Sequence, residues 1–376
     1  MYLWLFFEKL KVKSFLLEDF NNSCLMIRKV FTLLIFAFTS VVAFAQAGYG
    51  VYQFLDLPVS SRLAALGGTN ISLRDNDLNF AFGNPALLTS ETNNVIGLSM
   101  ANYLADIKFG SAVYGRTIGS KNYLGVGIQY IDYGTFRETT ELNEFTGQTF
   151  TAKDMALNIM YASPITDKFS VGATLKPIYS VYERYTSYGL AIDAGASYND
   201  PAKLFSAGLV IRNIGTQFKG YYSDESGQHY EPLPLNIQLG ASKKFAHAPL
   251  RISLTLHNLQ KWDLNYQSTN QPNTSITSSN TTPLTTSSIS FVDMAFRHTI
   301  FGVEFVPSKN FYLSAGYNHR RHAEMTVSGF KSMAGFSFGG GIKIYKFHVG
   351  FGTTQFLAGN SSYQFSISTA LNEFRL

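Results

Sequence analysis

The sequence predicts an all-β membrane protein: a 14-stranded antiparallel outer-membrane β-barrel with an N-terminal plug segment. Three observations predict it. The first is composition. Charged residues make up 15% of 376 residues and aromatics another 15%, with 22 Tyr and 32 Phe against 2 Trp, whereas a soluble domain carries about 25% charge. The second is period-2 alternation of apolar with small or polar residues over almost all of the chain from residue 94. The third is that the connections sort into short turns on one rim and longer loops on the other, as in bacterial barrels. The same composition excludes other classes. Apolar content is too high for disorder, and a single Cys, Cys24, excludes a disulfide scaffold. A mean hydropathy of +0.01 is too low for recurrent spans of about 20 apolar residues.

Residues 1–25 read as an over-extended start, against the alternative that Tyr2 to Leu17 forms an amphipathic helix. Residues 26–45 read as a complete secretory signal peptide. Met26 precedes Arg28 and Lys29, the apolar run spans Val30 to Phe44, and Ala43-Phe44-Ala45 is an A-x-A site. Cleavage before Gln46 removes five basic and three acidic residues and leaves net +3, from +5 in the whole chain. No Cys follows the run, which excludes a lipid anchor. The basic residues are scattered without a stripe, so no nucleic acid is expected as a partner.

Residues 46–93 do not alternate. Ser60-Ser61-Arg62-Leu63-Ala64-Ala65-Leu66-Gly67-Gly68 predicts a capped short helix ending on glycine. Asn84-Pro85-Ala86-Leu87-Leu88 predicts a turn opening another, with proline at the first position. A segment of about 45 residues ahead of a barrel this wide can fill a lumen that would otherwise be an aqueous hole. The expectation is a plug, with Arg62, Gly67, Gly68, Asn84, Pro85 and Ala86 as its motif residues.

Residues 94–376 predict the barrel. Leu124, Val126, Ile128 and Tyr130 alternate with Gly125, Gly127 and Gln129; Leu190, Ile192, Ala194 and Ala196 alternate with Ala191, Asp193, Gly195 and Ser197. Strands are expected near 94–104, 107–117, 122–133, 152–163, 168–181, 188–198, 204–213, 234–245, 249–259, 297–306, 310–319, 333–344, 347–354 and 363–371. Tight turns follow at Ile118 to Lys121, Pro164 to Asp167, Asn199 to Lys203, Ala246 to Ala248, Pro307 to Lys309 and Tyr345 to Lys346, rich in turn-forming residues. Gly134 to Thr151, Ile214 to Leu233 and Gln260 to Phe296 read as long loops, and Ala105-Asp106 as a short first connection. Closure follows from the backbone: an unpaired N–H or C=O in lipid costs several kcal/mol. The outward set is apolar on nearly every strand, whereas a soluble sandwich needs a solvated face as well.

Asp193, Arg212, Glu304 and Lys343 fall in the inward set. Charges there are expected to pair across the lumen or with the plug, against the alternative of a transport or gating role. No metal site is expected, since the histidines show no paired ligand spacing. Ser328-Gly-Phe-Lys331 matches S-x-x-K without its companion motifs, and no G-x-S-x-G, phosphate loop or C-x-x-C occurs. No catalytic residue and no cofactor is therefore expected. Gly339-Gly340-Gly341 is expected to relieve crowding in a curved wall. The Ser/Thr/Asn tract Gln267 to Ser290 reads as a solvated outer loop or a docking loop. Phe218, Tyr221, Tyr222 and Tyr230 form the better docking candidate, because Tyr is enriched at protein interfaces. His319, Arg320 and Arg321, at a strand end, join it as rim contacts.

Ala65-Leu66-Gly67-Gly68 followed by Asn84-Pro85-Ala86, ahead of such a barrel, resembles the long-chain fatty-acid transporter (FadL-like) superfamily. Within it the chain resembles the PorV/PorQ family, and PorQ most. The supporting segments are Phe54-Leu55-Asp56-Leu57-Pro58, Arg62 to Gly68, Val210-Ile211-Arg212-Asn213-Ile214-Gly215, His257-Asn258-Leu259-Gln260, Phe301-Gly302-Val303-Glu304-Phe305 and Gly316-Tyr317-Asn318-His319-Arg320-Arg321. The resemblance implies a non-enzymatic component of the type IX secretion system of Bacteroidota-like bacteria. It implies a barrel in the outer membrane, with both termini periplasmic and long loops extracellular. The implied partners are a PorZ-like surface protein, the sortase-like PorU, PorV, and outer-membrane lipid and lipopolysaccharide, in a cell-surface attachment complex that processes cargo and joins it to lipopolysaccharide. The alternatives are a FadL-like channel for hydrophobic small molecules and a PorV-like cargo shuttle.

Overall fold

The computed structural model describes residues 50–103, 107–119, 121–225, 227–264, 290–325, 333–357 and 360–374. The expected signal peptide, Cys24, the expected short connection at Ala105-Asp106, Gln267 to Ile289 and Ser328 to Lys331 lie outside the described residues.

Fourteen antiparallel strands form the wall. They are β1 (Val95–Asn102), β2 (Lys108–Ile118), β3 (Asn122–Thr139), β4 (Phe145–Pro164), β5 (Phe169–Tyr182), β6 (Tyr185–Asp200), β7 (Phe205–Lys219), β8 (Asn236–Lys244), β9 (Leu250–Leu256), β10 (Thr299–Ser308), β11 (Phe311–Asn318), β12 (Phe336–Ile344), β13 (Phe347–Leu357) and β14 (Asn360–Ala370). Each pairs with its neighbours in sequence, and β14 pairs with β1 from Val95↔Ala370 to Asn102↔Tyr363, so the sheet closes. Closure pairs the edges that lipid could not satisfy.

Alternation fixes what each face meets. On β4 the buried positions are Ala152, Asp154, Ala156, Asn158, Met160 and Ala162, while Met155, Leu157, Ile159 and Tyr161 stand outward. Leu98, Ile192, Leu209, Phe338 and Phe365 on other strands are 45–59% exposed, an apolar band such as lipid covers. No described helix is long and apolar enough to cross a membrane.

The expected tight turns all fall on the rim where β1 starts and β14 ends. The other rim differs from expectation. Gly134 to Thr151 is mostly strand: β3 and β4 run for 18 and 20 residues and turn only at 140–144, whereas a tilted strand crosses a bilayer with about 9–11. Outside lipid the apolar-outward rule lapses, so the alternation that marks the wall is missing there. Past β7 a small hairpin pairs Ser223–Asp224 with Gly227–Gln228. His319, Arg320 and Arg321 lie not on a strand end but in a helix, α3 (His319–Met325), beside α2 (Phe291–Arg297).

Between Gly50 and Asn94 the chain forms α1 (Ser61–Ala65) and four single 3-10 turns inside the wall. Ser60 caps α1 by accepting from the Leu63 N–H at 3.3 Å. Gly67 and Gly68 end it at φ 94° and 110°, where a Cβ would be strained. Asn84 caps the Pro85–Leu87 turn. Phe54, Leu55, Leu66, Ile71, Leu73, Leu78, Phe80 and Leu88 are all at most 2% exposed, so this plug carries the apolar core of the molecule.

Candidate functional site: the plugged lumen and the long-loop rim

The plug sits at backbone distance from the wall because the wall presents glycine where the plug touches it. A Cβ on Gly316 would lie 2.3 Å from the Gly67 nitrogen and 2.4 Å from the Leu66 carbonyl carbon. One on Gly195 would lie 2.1 Å from Asn84 Oδ1, one on Gly172 2.7 Å from the Ala86 nitrogen, and one on Gly208 2.1 Å from the Ile71 carbonyl oxygen. The motif residues Gly67, Asn84, Pro85 and Ala86 are thus the contact points. Asn84 also donates to the Ile71 carbonyl at 3.0 Å and the Ala196 carbonyl at 3.2 Å. Gly68 lies under the Arg321 guanidinium. Gly339 and Gly341 do relieve crowding: a Cβ there would meet the Ala65 Cβ and the Tyr312 ring. Gly316→Ala is expected to cost roughly 1–3 kcal/mol by overpacking. Urea unfolding in liposomes, with protease susceptibility of the plug read alongside, checks this; unchanged stability and resistance would mean that the contact is slack.

Two polar networks tie the plug to the wall, and a third lies within the wall. In the first, Arg62 reaches Glu304 Oε1 at 2.9 Å, Asp75 Oδ2 at 2.8 Å and Asp77 at 3.6 Å. Arg251 reaches Glu304 at 2.5 Å and Asp75 at 3.3 Å, and Ser314 donates to Glu304 at 3.1 Å. The Arg62 guanidinium lies over the rings of Phe80 (5.1 Å) and Tyr312 (4.6 Å), a favourable contact for a desolvated cation. Burial works to raise the Asp75 carboxyl, but Arg62 and Arg251 outweigh it and hold it down at about 2.

In the second network, Lys176 pairs with Asp193 at 2.6 Å, both side chains at most 1% exposed, and donates to Asn213 Oδ1 at 3.0 Å. The Asn213 N–H donates to Asp193 at 2.8 Å. Arg212 donates to the Leu55 carbonyl at 2.9 Å and lies 3.8 Å from Asp56, so it ties β7 to the plug. In the third, Asp154 accepts from Tyr133 at 2.7 Å, Tyr182 at 2.9 Å and Ser180. Sequence reasoning passed over Asp75, Arg251, Lys176 and Asp154. Arg251, Lys176 and Asp154 were within reach, because all three fall on inward positions of predicted strands.

Lys343 keeps inward parity but stands at the short-turn rim, where it pairs with Glu373 of the C-terminal turn at 2.7 Å, and not with the plug.

On the long-loop rim, Phe218, Tyr222 and Tyr230 are 62%, 57% and 56% exposed. Tyr222 stacks on His229 at 5.4 Å. Tyr221 differs from them: its hydroxyl bonds Ser180 and its ring meets Tyr182 at 5.1 Å, so it pins the loop to the Asp154 network. His319 donates to Asp293 of α2 at 2.9 Å and accepts from Tyr317 at 3.0 Å. That bond draws the Asp293 carboxyl below its usual range. Arg320 pairs with Glu324 at 2.7 Å, and Arg321 stacks over Phe356 at 4.6 Å. These three side chains therefore brace the cap formed by α2 and α3 and the plug beneath it.

Neither a protein-family model nor a curated protein sequence matches the chain. Solved structures do. The Pseudomonas putida toluene transporter TodX is similar at a TM-score of 0.50 and 12% identity, over 84% of this chain and 99% of that one. The CymD monoaromatic hydrocarbon channel is similar at 0.49 and 14%, over 85% and 97%. A Pseudomonas aeruginosa FadL homologue is similar at 0.48 and 10%, over 83% and 98%. At such identities the likeness is one of fold, and the fold is an outer-membrane β-barrel.

Proposed function

We propose that the protein is a closed barrel that holds a partner at the cell surface: the non-enzymatic, PorQ-like anchor of a type IX secretion attachment complex. The observation that carries the docking part is the packed lumen. Of the 38 plug residues from Val51 to Leu88, 28 are buried, and two polar networks, through Arg62 and Arg212, tie the plug to the wall where a pore would need an open path. The assignment to type IX secretion rests on the sequence resemblance. In this reading the long-loop rim faces the outside and both ends of the barrel face the periplasm. Phe218, Tyr222 and Tyr230 then stand ready for a surface protein of the PorZ kind, working with PorU-like and PorV-like partners and lipopolysaccharide. Deleting Phe218 to Tyr230 is expected to leave a heat-stable barrel and to release the surface partner. In a strain lacking the barrel, proteins sharing a C-terminal sorting domain are expected in the medium with that domain uncleaved. An unchanged surface proteome would overturn the secretion reading.

A second reading is a channel for hydrophobic small molecules. The fold shared with a toluene transporter supports it. So does a recess of about 550 Å³ in the outer wall, lined by Leu98, Met100, Gly110, Tyr130, Phe365 and Ile367. Slower toluene uptake in the deletion strain, with its surface proteome intact, would favour this reading.

A further inference from the structure

Above the barrel wall, β3 and β4 continue as a two-stranded ribbon. The ladder with β5 ends at Ala152↔Tyr182, and the Glu183 N–H closes it onto the Thr151 carbonyl at 3.0 Å. The ladder between β2 and β3 ends at Lys108↔Asp132. Beyond these points β3 and β4 pair only with each other, from Thr135↔Thr151 to Thr139↔Phe145. The outer edge of Phe145–Phe150 therefore offers backbone donors and acceptors to no strand among the described residues.

An open edge invites a further strand, and natural sheets usually guard one with charge or proline. This edge carries neither over Phe145-Thr146-Gly147-Gln148-Thr149-Phe150-Thr151-Ala152, which is uncharged and proline-free; its one guard is the register shift between Arg137 and Thr139, with Gly147 at φ 88°. The ribbon is stiffened instead. Phe136 stacks on Phe150 at 5.3 Å, and Arg137 lies over the Phe145 ring at 5.6 Å. Its tip is acidic, with Glu138, Glu141 and Glu144 against the single Arg137. The edge calls for an extended backbone, and the tip calls for positive charge at one end of it.

We propose that the Phe145–Phe150 edge takes, by strand addition, an extended segment of a surface partner that is uncharged along the ladder and basic where it passes Glu141 and Glu144. Main-chain bonds would supply affinity and the flanking charges would set direction. This rests on the docking reading of the rim.

The probe is a synthetic peptide of six alternating Thr and Val residues followed by two Lys, added to the full chain in lipid nanodiscs. Binding is followed by fluorescence anisotropy and by amide hydrogen exchange. The peptide is expected to slow exchange at residues 145–150. Gln148→Lys is expected to weaken binding at least tenfold. Glu141→Lys combined with Glu144→Lys is expected to weaken it and remove its salt dependence. All three positions are exposed, so barrel mobility on unheated gels should not change. No protection at 145–150 at 1 mM peptide overturns the proposal, as does equal binding by Gln148→Lys. Concentration-dependent protection of the same amides without peptide also overturns it and makes a second copy of this chain the occupant. Exchange on native outer-membrane fragments separates this inference from the docking reading. Protection at residues 218–230 but not at 145–150 sinks the ribbon alone, and no protection anywhere on the rim sinks both.

Discussion

Replacing Glu304 by Gln is expected to loosen the plug at its most charged contact. Glu304 is 1% exposed and carries two arginines, Arg62 from the plug and Arg251 from β9, at 2.9 Å and 2.5 Å. Removing one partner of a buried ion pair typically costs about 3–5 kcal/mol, because the other charge stays buried without compensation. Here the stranded charge is shared, since Asp75 still reaches both arginines, so the lower half of that range is expected. The wall holds its own ladder without Glu304, and the loss should fall on the plug. In planar bilayers the wild type is expected to stay nearly silent and Glu304→Gln to show flickering conductance, with new protease cleavage near Arg62 and Arg74. Arg62→Met combined with Glu304→Met is expected to recover most of the seal, because Arg251 and Asp75 remain paired at 3.3 Å. A silent Glu304→Gln barrel would mean that glycine-to-backbone contacts alone hold the plug.

The contact was half legible in the sequence. Alternation put Glu304 inward, and the helix motif put Arg62 ahead of the barrel, but nothing local joins residues 62, 75, 251 and 304. Their meeting depends on how the plug is folded within the wall. The strand number, the order of turns and the closed wall were readable because lipid forces period-2 alternation on any strand that crosses it. That signal stops at the membrane, which is why Gly134 to Thr151 read as a loop and proved to be a ribbon. Tyr221 was grouped with its exposed neighbours on residue type, although its hydroxyl is spent on Ser180. Lys343 has the right parity for the lumen, but it lies so near the strand end that Glu373 claims it. Parity tells which face a side chain takes and leaves its depth open.

The largest expected loss of stability is at Lys176. Its ammonium and the Asp193 carboxylate are at most 1% exposed and stand 2.6 Å apart, on neighbouring strands β5 and β6. Lys176→Met leaves Asp193 with the Asn213 N–H as its hydrogen-bond donor at 2.8 Å, a buried charge without its counter-ion. A loss of about 3–5 kcal/mol is expected, read as a shift of the urea midpoint in liposomes. Adding Asp193→Asn removes the stranded charge while the side-chain oxygen can still accept from Asn213, so the double variant is expected to regain most of the loss. That variant also separates the two functional readings. If the pair is a staple inside a sealed anchor, the neutral double variant folds and keeps its surface partner. If the pair lies on a transport path, the same variant folds and loses toluene uptake. Stability restored with partner retention intact would favour the anchor; stability restored with uptake lost would favour the channel.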